Sequence, residues 1–145
     1  MDSKTNANRA IGVLIMRLIL GFIFVFQGGG KLYHYGFETV YSNFFLESYQ
    51  GFLPEPLIWL VAVFTTYTEL ICGIFVVLGL FKKWNFMLLG LVLVVVTIGH
   101  GMIEPIWGLS HVMYRALFLV ALLLIPVTWD RISLDYLIWD RKSKL

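Results

Sequence analysis

Apolar residues arrive in four long blocks, at residues 10–30, 56–81, 84–103 and 112–129. Each is close to the roughly 20 residues that a helix needs to cross the hydrocarbon core of a bilayer. Between the first two blocks the rhythm changes. Phe37, Val40, Tyr41, Phe44 and Phe45 recur at i, i+3, i+4, i+7 and i+8, while Glu38, Thr39, Ser42, Asn43 and Glu47 fill the other face. That pattern predicts a short amphipathic helix, either lying in the membrane interface or capping the bundle. Gly51 and Pro54 end it, and Pro56 opens the second block. The expected fold is all-α: an integral membrane four-helix bundle, a single domain over residues 1–145, with a polar tail at 130–145.

Charge placement orients the bundle. Lys4 and Arg9 precede the first block, Lys82 and Lys83 separate the second and third, and Arg131, Arg141, Lys142 and Lys144 follow the fourth. The opposite side carries only Lys31. Lys and Arg collect on the cytoplasmic side, which predicts both termini inside and the long first loop outside. The first block holds Arg17 and ends in Gly28-Gly29-Gly30 without a small-x-small cleavage pattern, so it reads as an anchor rather than a cleaved signal.

Composition agrees with a lipid environment. The chain is 59% hydrophobic and 14% charged, against about 45–50% and about 25% in soluble domains. A lone cysteine, Cys72, excludes dithiol chemistry within one chain. No basic run suits nucleic acid, and no P-loop or G-x-S-x-G pattern occurs. The three histidines lack H-x-x-x-H or H-x-x-E-H spacing, so no metal site is expected.

The candidate chemistry lies in the ionisable residues inside the spans, which cost roughly 2.5–3.5 kcal/mol each at a helix centre and therefore turn inward and pair. Matching span centres puts Glu69 and Arg17 within reach of one another and predicts an Arg17–Glu69 ion pair. It reads as a structural clasp or as a proton or ligand site. Arg17, Gly21, Phe24, Gly28 and Lys31 share one helix face, and Thr65, Glu69, Cys72 and Gly73 share another. Glycines there let a neighbouring helix approach closely. A second cluster, Lys31, His100, His111 and Arg115, belongs to span ends on the outer side, with Glu104 in the loop between. If those ends converge they form a cationic pocket for an anion, a lipid head group or the carbonyls of a quinone. His100 is its best proton donor or acceptor. In the other reading Lys31 and Arg115 snorkel to lipid phosphate and the histidines cap helix ends.

These residues resemble a known family. Arg17-Leu-Ile-Leu-Gly21-Phe-Ile-Phe24, continuing through Gly28 to Lys31-Leu32, is similar to the first-helix signature of the DoxX family. Glu69-Leu-Ile-Cys-Gly73, continuing to Leu78-Gly79-Leu80-Phe81-Lys82, is similar to its second-helix signature, and Phe52-Leu53-Pro54 and His100 also fit. The resemblance covers roughly residues 10 to 101. It implies a multi-pass protein of the bacterial inner membrane, related to a small subunit of thiosulfate:quinone oxidoreductases, with some relatives linked to membrane oxidoreductase complexes. It further implies work with other membrane subunits, a quinone as the ligand and no intrinsic cofactor. His100 and Glu69 are then the candidate catalytic groups. Two other classes remain open: a structural or assembly subunit without chemistry, and a small transporter or lipid-binding protein using Glu69.

Overall fold

The computed structural model describes residues 3–104 and 109–140. The first helix, α1 (Ser3–Gly29), continues through a wider π turn, Gly30–His34. Gly36 then takes φ 79°, a left-handed conformation that glycine adopts without steric cost. The outer-loop helix, α2, forms where the pattern placed it, in three consecutive pieces, Phe37–Val40, Tyr41–Leu46 and Glu47–Tyr49. It is followed by α3 (Glu55–Leu78), α4 (Lys82–Ile103) and α5 (Ser110–Leu124). No strand occurs among the described residues.

Three helices, Thr5–His34, Glu55–Leu78 and Lys82–Ile103, are long and apolar enough to cross a membrane, and Ser110–Leu124 is a shorter apolar helix. The protein is a multi-pass membrane protein of helical-bundle architecture. The fourth helix ends at Leu124 rather than at Trp129. The cause is local: Pro126 forces Ile125 into an extended conformation, ψ 133°, because an X-Pro step disfavours the helical region. A 3₁₀ turn, Val127–Trp129, finishes the segment.

The helices close a ring. α1 packs most extensively on α3, α3 on α4, α4 on α5, and α5 back on α1. Glycine sets the register of the tightest pair. A Cβ on Gly28 would stand 2.5 Å from the backbone nitrogen of Leu70, and one on Gly73 would stand 2.8 Å from that of Val25. Gly21 lies likewise against Val77. Each step along α1 is thus a step back along α3, and the two backbones touch. Leu20, Phe24, Ile58, Val76 and Leu89 are fully buried around this seam.

One end of the ring is closed by polar contacts. Gly79, at φ 70°, ends α3 in a left-handed cap, with Leu80 N–H donating to Phe75 O and Gly79 N–H to Val76 O. Arg17 donates to both carboxylate oxygens of Asp130, at 3.2 and 3.1 Å, and to Ile132 O at 2.6 Å. Lys82 Nζ reaches Asp130 at 2.9 Å and Ser133 Oγ at 3.0 Å. Asp135 accepts from the backbone N–H groups of Phe81 and Lys82, capping the start of α4 from a distant part of the chain. The Arg9 guanidinium lies 4.5 Å from the Trp129 ring centroid. The first half of α1 and the segment after α5 therefore meet at the same end of the bundle.

Candidate functional site

The other end of the ring holds the remaining intramembrane charge. Lys31 stands on the π turn that prolongs α1, and its Nζ lies 2.7 Å from Glu69 Oε2 on α3. Glu69 is fully buried, and its Oε1 has no hydrogen-bond partner. Thr66 Oγ1, one turn away on the same helix, is also buried and unpartnered. Arg115 of α5 is 4% exposed and turns into the bundle. Its Nε donates to His111 O at 2.9 Å, and its Nη1 makes a short hydrogen bond to Gln27 Oε1. His100 and His111 meet edge to face, with their Nε2 atoms 3.4 Å apart.

The expected Arg17–Glu69 pair does not form. Both residues are buried and both are paired, but with Asp130 and Lys31 respectively. The reason is register. Gly28 faces Leu70, which places Glu69 level with the end of α1. Arg17 lies about 16 Å further down the α1 axis, at 1.5 Å per residue. Matching span centres ignored the π turn that carries α1 on to His34. Snorkelling does not describe Arg115 either, since its guanidinium is turned inward onto Gln27.

A cavity of about 630 Å³ opens beside this cluster. Small-molecule sites commonly enclose about 300–1,000 Å³, with mostly apolar walls and a few placed polar groups. Here the walls come from α2 (Val40, Phe44, Phe45), α3 (Leu57, Ile58, Val61) and α4 (Val95, Val96, Ile98). Gln27, Lys31, Ser48, Tyr49, Thr65 and His100 supply the polar lining. α2 roofs the cavity, with Val40 buried at its start. Tyr49 stands over Gly99, where a Cβ would come within 2.7 Å of the phenol oxygen. Burial pushes the Tyr49 phenol above its usual pKa, so it is a neutral O–H across the physiological range. Thr65 spends its hydroxyl on Val61 O, at 2.8 Å.

The family model described as DoxX matches residues 12–102. The chain belongs to the DoxX family. The match spans most of α1, all of α2 and α3, and α4 almost to its end, so it includes Arg17, Lys31, Glu69 and His100. His111, Arg115 and Asp130 lie beyond it. No curated protein and no solved structure is a significant match to the chain.

Within this DoxX protein the four residues of the outer cluster are brought together in two ways. Lys31 and His100 line the cavity, while His111 and Arg115 stand behind it and touch it through His100 and Gln27. Glu69 sits behind Lys31. Gln27 escaped the sequence reading, although a glutamine four residues before Lys31 in an apolar span was a signal. Asp130, the partner of Arg17, was read only as the start of a tail. Among the described residues no three His, Cys, Asp or Glu side chains group as metal ligands would.

Proposed function

We propose that this DoxX-family protein is a membrane subunit of, or an accessory to, a quinone-linked redox system of the bacterial inner membrane, with both termini cytoplasmic. The observation that carries the reading is the cavity roofed by α2. Its apolar walls suit the ring and first isoprene units of a quinone, and Lys31 and His100 meet its polar edge. Lys31 offers hydrogen bonds to a carbonyl oxygen, and the His100 imidazole can donate or accept one. The chain brings binding and orientation. Electrons pass between the quinone and a partner subunit. The test is gentle purification in nanodiscs, with lipid and protein mass spectrometry and an ultraviolet spectrum on the same sample. Co-purifying quinone that is lost in His100→Ala at unchanged abundance supports the reading. A preparation that never holds quinone or an oxidoreductase sinks it.

A structural or assembly role is the second reading. The closed end supports it, because Arg17 and Lys82 there both pair with Asp130 and tie α1, the start of α4 and the segment after α5 together. Under this reading His100→Ala is silent, while Arg17→Ala and Glu69→Ala, which each strand a buried charge, lower abundance. The transporter reading has less support, since Glu69 as a coupling carboxylate must first release Lys31.

A further inference from the structure

The polar edge of the cavity holds a cation and no anion. Arg115 can only donate, so the Gln27 side chain turns its oxygen to the guanidinium. That leaves the Gln27 amide N–H₂ as the end available to the cavity it lines. Lys31 carries three N–H donors and spends one on Glu69. The Tyr49 phenol keeps its proton, and no acidic side chain is among the residues lining the cavity.

The charges beside it do not cancel. Lys31 and Arg115 are both cations, and the buried Glu69 carboxylate is bonded to Lys31 alone. Both hydrogen bonds of Arg115 end on neutral oxygens, the His111 carbonyl and the Gln27 amide. One positive charge thus lacks a matching ion pair, behind a cavity whose walls are mostly apolar. A charge held in low dielectric attracts a counter-charge far more strongly than it does in water.

We propose that the outer cavity takes an amphiphile whose head is an anionic oxygen, held by Lys31 and Gln27. The inference rests on the cavity being a ligand site, as above, and adds the charge of the occupant. The same head chemistry is offered by a fatty-acid carboxylate and by the ionised hydroxyl of a hydroxyquinone. In either case the apolar body lies among Phe44, Phe45, Leu57 and Ile98, and the head replaces water on Lys31.

The test titrates the full chain in nanodiscs with two matched pairs. One pair is oleate and methyl oleate; the other is an alkylated 2-hydroxy-1,4-naphthoquinone and its methyl ether. Binding is read from tryptophan and tyrosine emission, with empty nanodiscs correcting for partition into lipid. The anionic member of at least one pair should bind about tenfold tighter or better, and the pair that shows it identifies the source. Lys31→Met, Glu69→Gln and Arg115→Met combined remove all three charges at once, so no buried charge is stranded. That triple variant should lose the preference for the anion, and Lys31→Arg alone should keep it. Equal binding of anion and neutral partner in both pairs, or an undiminished preference in the triple variant, overturns the proposal. Equal binding that includes the neutral quinone leaves the quinone-linked reading standing. No binding of any amphiphile defeats both.

Discussion

The two ends of this bundle hold similar charged groups and use them differently. At the closed end one carboxylate, Asp130, meets two cations, the Ile132 carbonyl and Ser133 take one further donor from each, and Arg17 Nε is left buried without a partner. At the outer end one buried carboxylate, Glu69, pairs with Lys31 alone, one of its oxygens has no partner, Arg115 bonds only neutral oxygens, and a cavity adjoins the lysine. Charge count alone does not separate a clasp from a site. What separates them is whether the donors are consumed within the protein. The closed end consumes most of its donors within the protein, beside a cavity of only about 260 Å³, and the outer end keeps donors facing one of about 630 Å³.

The largest effect should come from breaking the clasp. Asp130→Ala leaves Arg17 and Lys82 without their carboxylate and should cost about 3–5 kcal/mol, the usual toll of stranding a buried charge. It should be read as lost abundance and a lower midpoint in thermal unfolding. Full stability in that variant would end the distinction drawn between the two ends. Next is Gly28→Ala, whose methyl group would press on the Leu70 backbone. Overpacking of this kind costs about 1–3 kcal/mol, and the Lys31–Glu69 pair should loosen with it, seen as faster hydrogen exchange in α3 near Glu69. Asp135→Ala removes the distant cap on α4 and should cost about 1 kcal/mol, confined to the closed end in the same exchange measurement. His100→Ala should be the mildest in stability, below about 1 kcal/mol for the loss of one ring contact with His111 at a half-buried position, yet it should abolish quinone retention. A variant that unfolds instead would make His100 structural.

Much of this was legible in the chain. Block lengths and the rhythm at Phe37, Val40, Tyr41, Phe44 and Phe45 place the helices, because a lipid solvent leaves few other ways to satisfy a backbone. The glycines on the Arg17 face and the Glu69 face held the register too, had Gly21, Gly28 and Gly73 been interleaved instead of span centres aligned. The end of α5 was signalled by Pro126. The cavity was not legible. A void arises from how side chains of α2, α3 and α4 fail to fill a space, and that depends on helix tilt and rotation, which periodicity does not encode. The role of Gln27 follows the cavity for the same reason, since its meaning comes from Arg115 on a helix far along the chain.

The clasp also imposes an order on biogenesis. Arg17 enters the bilayer with the first helix, but its carboxylate lies 113 residues further along the chain. The cap on α4 is likewise made by Asp135, which is translated after that helix is complete. Until Asp130 and Asp135 are translated the nascent bundle carries an unpaired cation and an open helix start, and that one segment closes both together.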